Sequence, residues 1–92
     1  MNKQREKFYR IEWKNSAIKS IKMVPKNYRE ELIREIEKLS INPLLGKRLQ
    51  GSKEEFRRIR ISNYRIIYYI NYQTKSIIIV KFGHRKDIYR QI

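Results

Sequence analysis

The stretch GHRKDIY, residues 83–89, brings together side chains that could transfer protons and bind phosphate. His84 is the only histidine in the chain, and histidine is the side chain that ordinarily titrates near neutral pH. Arg85 and Lys86 follow it directly, and Tyr89 lies four residues beyond Arg85. We predict that His84 accepts a proton, that Arg85 and Lys86 contact phosphate, and that Tyr89 donates a hydrogen bond or proton or stacks on a base.

This chemistry matches the needs of RNA cleavage by attack of the ribose 2′-OH. The reaction needs a base for the 2′ proton, cations for the phosphate and an acid for the leaving 5′ oxygen. Arginine suits the second task because its planar guanidinium binds phosphate through two hydrogen bonds and stays charged, but it is not an ordinary base. His84 would supply that base. The alternative, a lone histidine with a structural role at a strand end, stays open.

The hydrophobic pattern predicts an α+β domain with the element order β-α-α-β-β-β. Alternating residues indicate a strand over 8–13, and apolar residues at helical spacing indicate helices over 15–23 and from 25 to about 40. A loop with two glycines follows, and the period then changes to two, which indicates three strands over residues 57–62, 64–72 and 76–82. We expect a small, twisted, antiparallel-rich sheet with two helices packed on one face.

The helix boundaries follow from individual residues. Asn15 is the predicted N-cap of the first helix, and Pro25 is predicted to lie in the first turn of the second. The buried stripe of the second helix is predicted from its spacing to comprise Tyr28, Leu32, Ile36 and Leu39.

Cations and a tyrosine alternate with apolar residues along the predicted strands. If the more apolar face of each strand packs against the helices, five side chains gather on the opposite, open face: Arg58, Arg60, Arg65, Tyr69 and Lys81. Such a surface binds phosphates and stacks bases. Arg57, at the start of the first of these strands, is predicted to add an RNA contact. A polar sheet face that serves solubility alone is the alternative.

The alternation of the last strand conflicts with a role for His84 among the cations, because it places His84 on the opposite side of the strand from Lys81. Uninterrupted alternation places Phe82 and His84 on one side of the strand and Lys81 on the other. The remaining residues follow by parity: Ile78 and Val80 with Phe82, and Ile77 and Ile79 with Lys81. A turn at Gly83 is therefore required to bring His84 to the cations.

The charge of the chain indicates a polyanionic partner. Its 92 residues hold 23 Lys and Arg against 9 acids, a net charge of +14. Residues 56–92 carry nine of these bases and a single acid. Nucleic acid is the first candidate for the partner and an anionic membrane surface the second.

Composition limits the remaining function classes. The length predicts a single domain over residues 1–92. The lack of cysteine excludes disulfides, thiolate metal sites and a cysteine nucleophile, and it fits a reducing cytoplasm. The sequence has no cluster of carboxylates in its basic half and no glycine-rich phosphate loop, so we expect neither a metal nor another cofactor. No apolar run is long enough to cross a bilayer.

The set NPLLGKRLQG, FRRIRISNYRIIYYI and IIIVKFGHRKDIY resembles the RelE/ParE toxin superfamily of type II toxin–antitoxin systems. The resemblance covers most of the chain, and it implies the fold order deduced above. For RelE-like members it implies a metal-independent endoribonuclease that cuts mRNA, commonly in the ribosomal A site. It also implies a cognate antitoxin that wraps around the toxin and inhibits it.

By position, Arg58 and Arg60 resemble the two basic residues of the family's first catalytic strand. Arg65 resembles the phosphate-contacting arginine of the YR motif, Arg85 the arginine after the glycine, and Tyr89 the tyrosine that stacks on or orients the nucleotide. The chain departs from the best-known RelE pattern, which has lysines at the positions of Arg58, Arg60 and His84.

Three functions stay open at this point. The first is an mRNA endonuclease toxin, which the basic strand face and residues His84 and Tyr89 favour. The second is a ParE-like toxin that inhibits DNA gyrase and has no nuclease activity. The third is a non-toxic RNA-binding domain.

Overall fold

The structure is a computed structural model that describes residues 8–49 and 55–84. Its helices and strands, in chain order, are β1 (Arg10–Trp13), α1 (Asn15–Lys22), α2 (Lys26–Glu37), β2 (Lys47–Arg48), β3 (Arg57–Ile61), β4 (Tyr64–Asn71) and β5 (Ser76–His84). Short 3₁₀ turns at Lys38–Ser40 and Pro43–Leu45 connect α2 to β2.

The strands form one sheet in the order β1-β5-β4-β3-β2. β1 runs parallel to β5, and all other neighbours are antiparallel. The predicted α+β fold is therefore confirmed, with both helices packed on one face of an antiparallel-rich sheet. The sequence did not reveal β2, because two residues are too few to show an alternating pattern.

The core lies between the helices and one face of the sheet. It contains Ala17 and Ile21 of α1, together with Leu32 and Ile36 of α2, whose burial was predicted. The prediction that Tyr28 belongs to the buried stripe is wrong, since its side chain is 55% exposed. Periodicity identifies the inner face of a helix but not how far the sheet extends beneath it, and burial of α2 starts one turn later, at Leu32.

The predicted start of α1 is shifted by one residue. Lys14 is the N-cap and Asn15 already belongs to the helix, with no side-chain cap. The backbone N–H of Lys14 donates to the carbonyl oxygen of Ile79 at 2.9 Å, so a contact with the sheet sets this boundary. Pro25 likewise caps α2 rather than lying in its first turn.

A β-bulge in β5 overturns the predicted parity of that strand. Ile67 of β4 pairs with Lys81, whereas the next residue, Tyr68, pairs with Ile79, so Val80 is an additional residue in β5. A bulge of this kind shifts the alternation by one position. Ile77 and Ile79 therefore pack in the core together with Phe82, whereas the sequence placed them on opposite sides.

Gly46 is held against the sheet by the hydroxyl of Tyr68, a side chain with 0% exposure. The hydroxyl accepts from the Gly46 N–H at 2.9 Å and donates to the Pro43 carbonyl at 2.7 Å. A Cβ on residue 46 would lie 2.8 Å from the Arg58 carbonyl oxygen and 2.7 Å from the Tyr68 hydroxyl. The loop thus approaches β3 more closely than any side chain at position 46 permits.

Tyr68→Phe is expected to lower the free energy of unfolding by about 2 kcal/mol at pH 8, because two buried hydrogen bonds are lost. Burial raises the pKa of Tyr68 above the ordinary 10.0 in the folded state. The unfolded chain therefore loses this proton first as the pH rises, and the stability that Tyr68 provides falls above about pH 10. Urea denaturation of both proteins from pH 8 to 11 should show the difference shrinking. A constant difference across this range would contradict the prediction.

No helix in the described ranges is long and apolar enough to cross a membrane.

Candidate nucleic-acid interface

The side of the sheet that faces away from α1 and α2, here called the open face, carries four rows of side chains across its strands. Two rows are cationic, the third is aromatic and apolar, and the fourth is polar. Pairing places their members next to one another: Arg60 and Arg65; then Lys47, Arg58, Ile67 and Lys81; then Tyr69, Ile78 and Glu12; then Asn71, Ser76 and Arg10.

The cation cluster consists of Arg58, Arg60, Arg65 and Lys81. Arg58 and Lys81 lie on either side of Ile67, and Arg60 lies directly opposite Arg65. The two rows are about 7 Å apart, two residues along a strand. The bulge at Val80 allows Lys81 to join this set. The structure thus places the four cations on one face, as the sequence predicted. Lys81 lies there because of the bulge, which uninterrupted alternation did not predict.

The opposition of Arg60 and Arg65 has an electrostatic cost. Like charges in directly paired positions of an antiparallel sheet destabilise it. Arg60 is exposed, and Arg65 Nη1 donates to its neighbouring Tyr64 carbonyl at 3.3 Å. A bound anion between the two guanidinium groups would relieve their repulsion.

Arg60→Thr is therefore expected to raise the free energy of unfolding by about 0.5 kcal/mol at low salt, as repulsion is removed and a good strand former is introduced. Thermal denaturation at 20 mM and 500 mM salt should show the gain shrinking as the charges are screened. A loss of stability at low salt would show that Arg60 supports the fold.

An aromatic platform, formed by Tyr69 and Phe56, adjoins the cation cluster. The ring of Tyr69 meets that of Phe56 edge to face, with centroids 5.9 Å apart. Ile67 and Ile78 lie on the same face but are only 2% and 8% exposed, so they offer little surface to a ligand. The open face therefore carries an aromatic pair, Tyr69 and Phe56, beside its cations, a combination that proteins use to bind single-stranded nucleic acids.

The structure separates Arg57 from the cation cluster. Arg57 pairs with Tyr68 on the helix side of the sheet, and its Nη1 donates to the Gly46 carbonyl at 2.8 Å. This contact ties β3 to the loop before β2. The predicted RNA contact of Arg57 thus does not lie on the face that carries the other strand cations.

His84 also lies away from the cation cluster. β5 continues through Gly83 without a turn, and His84 pairs with Tyr64. The rings of these two residues are 5.9 Å apart, and Tyr64 in turn stacks on Phe82 at 5.2 Å. Gly83 does not redirect the histidine, so the arrangement needed for His84 to act among the cations is not present.

Three predicted site residues, Arg85, Lys86 and Tyr89, lie outside the described residues. Within residues 8–49 and 55–84, no group of three or more His, Cys, Asp or Glu side chains could hold a metal ion.

The sequence did not show that β1 adds Arg10 and Glu12 to the open face. Alternation in RIEW put Arg10 and Glu12 on one side of β1, but nothing in the sequence showed which strand would lie beside it. The parallel pairing with β5 places Arg10 opposite Ser76 and Glu12 opposite Ile78, and so extends the open face by one strand.

Sequence comparison finds similar proteins among the toxins of toxin–antitoxin systems. The family described as "ParE toxin of type II toxin-antitoxin system, parDE" matches residues 11–89. A protein of Methanocaldococcus jannaschii named "Putative toxin RelE1" is 30% identical over 87 residues, covering 89% of this chain and 96% of that protein.

Solved structures of toxin–antitoxin complexes have the same fold. The toxin–antitoxin complex RelBE2 of Mycobacterium tuberculosis contains a chain with a TM-score of 0.76 and 22% identity, covering 85% of this chain and 99% of that one. The RelB–RelE complex of Methanococcus jannaschii contains one with a TM-score of 0.67 and 30% identity, covering 88% and 98%. Together with the family match, these relatives show that the chain belongs to the RelE/ParE superfamily of type II toxin–antitoxin toxins.

Proposed function

We propose that the protein is a metal-independent endoribonuclease toxin that binds mRNA on the open face of its sheet and cuts it in the ribosomal A site. The observation that carries this proposal is the cation cluster, with Arg60 directly opposite Arg65 and Arg58 and Lys81 in the adjacent row. Four cations on one sheet face beside an aromatic platform suit a ribose–phosphate strand.

The chemistry of these residues is charge stabilisation. Attack of the 2′-OH on the phosphate builds negative charge on its non-bridging oxygens. Guanidinium groups fixed on adjacent strands are already in position when that charge develops, so little reorganisation is needed at the moment of reaction. Arg58 and Arg65, on neighbouring strands, are the residues best placed to bind these oxygens through paired hydrogen bonds.

Proton transfer has a different source in this proposal. His84 packs against Tyr64 on the other side of the sheet, and arginine is not an ordinary base. The groups that move protons then come from the segment after His84, which includes Arg85 and Tyr89, or from the ribosome. This division of tasks fits a toxin that depends on the ribosome for activity.

The protein partner in this proposal is a cognate antitoxin in the cytoplasm. The relatives above were solved as toxin–antitoxin complexes, and the net charge of +14 favours an acidic binding segment. Such a segment would cover the cation cluster and block access of RNA.

A ParE-like inhibitor of DNA gyrase is the second candidate, because the matching family is described by the name ParE. The cation cluster and its aromatic platform favour the nuclease. The two functions differ in their first effect on a cell. The nuclease would cut transcripts, whereas the gyrase inhibitor would damage the chromosome.

The test is induction of the protein from a tightly repressed promoter, followed by mapping of mRNA 5′ ends and an assay for the DNA-damage response. New in-frame transcript ends within minutes, without a damage response, are expected. Growth arrest with intact transcripts and a damage response would instead establish the gyrase function. Normal growth with intact transcripts would leave a non-toxic RNA-binding domain.

A further inference from the structure

A cleft beside the aromatic platform takes no part in the phosphate chemistry proposed above. It lies across β1, β4 and β5, has a volume of about 400 Å³, and opens on the same face as the cation cluster. Its polar and aromatic lining includes Arg10, Glu12, Lys14, Tyr69, Asn71 and Thr74. Tyr69 belongs both to this cleft and to the aromatic platform, so the two are continuous.

Hydrogen bonds fix the polar groups of the cleft. The hydroxyl of Ser76, 1% exposed, donates to Glu12 Oε2 at 3.3 Å and accepts from Thr74 Oγ1 at 3.0 Å. Asn71 Oδ1 accepts the backbone N–H groups of Gln73 and Thr74 at 3.0 and 3.2 Å. The amide nitrogen of Asn71 makes no hydrogen bond within residues 8–49 and 55–84 and so remains as a donor.

Glu12 is unusual in its location. Among the described strands, Glu12 is the only acidic side chain on the open face, where RNA phosphates would repel it. Its Oε2 lies 3.5 Å from Arg10 Nη2, but both side chains are more than half exposed, and such ion pairs contribute little to stability. Its other oxygen, Oε1, has no hydrogen-bond partner within residues 8–49 and 55–84. The fold thus holds a carboxylate with one oxygen still able to accept.

The position of the cleft suits the base of a nucleotide next to the bound phosphate. Tyr69 lies two residues from Ile67, the residue between Arg58 and Lys81, which is about 7 Å along β4. A nucleotide with its phosphate at Lys81 and its base directed along β5 would place that base over Tyr69, with its edge toward Glu12. Stacking on Tyr69 would provide affinity that does not depend on sequence.

We propose that this cleft is a nucleobase subsite, in which Glu12 Oε1 accepts a hydrogen bond from the exocyclic amino group of the base. Adenine, cytosine and guanine carry such a group, whereas the N3–H of uracil is flanked by two carbonyl oxygens that a carboxylate repels, so the subsite discriminates against uracil. Carboxylates read amino groups of bases in this way in other protein–nucleic acid complexes. The proposal rests on the RNA-directed function above, and it adds a specificity-determining residue to it.

The test uses the full chain and 2′-O-methyl hexamers, which lack the 2′-OH needed for cleavage. The hexamers differ at one central position, A, C, G or U, in an otherwise uridine context. Fluorescence anisotropy at low salt should show the A, C and G hexamers binding about fivefold more tightly than the U hexamer, the size expected from one hydrogen bond to a partly exposed charged group.

Glu12→Gln should reduce this ratio to near one, because an amide both donates and accepts. It should also tighten binding of the U hexamer, because it removes a negative charge from the interface. Glu55→Gln is the matched control: it changes the charge equally beside Arg48, on the far edge of the sheet, and should leave the ratio unchanged. Arg65→Ala should weaken all hexamers by the same factor.

Each outcome has a distinct meaning. Equal binding of all four hexamers by the wild-type protein, or an undiminished ratio in Glu12→Gln, would overturn the subsite and leave the RNA-binding face intact. Failure of every hexamer to bind at low salt would overturn the RNA-binding face itself, and the nuclease proposal with it.

Discussion

An Arg65→Ala variant is expected to lose growth arrest and to cut transcripts about 10²–10³-fold more slowly than the wild-type protein, the cost of removing one pre-positioned donor from a reacting group. Arg65 lies in the middle of the cation cluster, opposite Arg60 and on the same face as Lys81. Within residues 8–49 and 55–84 its guanidinium makes one hydrogen bond, at 3.3 Å, with the neighbouring Tyr64 carbonyl. The fold therefore does not depend on it, and removing one of two opposed charges should leave the far-UV circular dichroism unchanged.

Arg34→Ala is the matched control for this experiment. Arg34 lies exposed in the last turn of α2, so the substitution removes the same charge from the opposite side of the molecule. Transcript end mapping after induction should show wild-type cleavage for Arg34→Ala and almost none for Arg65→Ala. If Arg65→Ala remained fully toxic, the cation cluster would have no part in the mechanism.

Gly46→Ala is expected to lower the free energy of unfolding by about 2–3 kcal/mol, as overpacking in a buried region typically does. The new Cβ would lie 2.8 Å from the Arg58 carbonyl oxygen and 2.7 Å from the Tyr68 hydroxyl. Moving the loop away would break the bonds from Tyr68 to Gly46 and Pro43. Moving β3 away would displace Arg58. For a domain of this size the loss corresponds to a fall in Tm of roughly 10–20 °C.

Leu44→Ala tests the same loop without the clash. Leu44 is 56% exposed, so its truncation should change the free energy of unfolding by no more than about 0.5 kcal/mol. Thermal denaturation of the two variants and of the wild-type protein compares them directly. An unchanged Tm for Gly46→Ala would show that the loop can withdraw from β3 at little cost, and that Gly46 does not fix the position of Arg58.

The fold followed from sequence wherever a pattern repeated over several residues. The alternation in β4 correctly placed Arg65 on the open face, with Ile66 and Tyr68 in the core on the other side and Tyr64 packed against that core. The same rule failed in β5, because a single additional residue at Val80 shifts the alternation and no local composition marks it.

The site was only partly predictable for a related reason. Strand parity located Arg58, Arg60 and Arg65, since each follows from its own strand. Glu12 lies on the open face because β1 pairs in parallel with β5. This pairing joins segments more than sixty residues apart and has no local signal in the sequence. The assignment of His84 to the cations required a turn at Gly83, and the pairing of Gly83 with Arg65 keeps that residue in the strand.

The salt dependence of RNA binding tests the central claim, that the cations of the open face bind phosphates together. Affinities for an uncleavable 2′-O-methyl RNA are measured from 50 to 300 mM salt for the wild-type protein, for Arg58→Ala/Arg65→Ala, and for Lys26→Ala/Arg34→Ala on α2. Each phosphate contact to a single strand contributes about 0.7 to the slope of log K against log salt, so the open-face variant should lose about 1.4 and the α2 variant close to nothing. Equal losses in both variants would show that charge alone, wherever it lies on the molecule, accounts for binding.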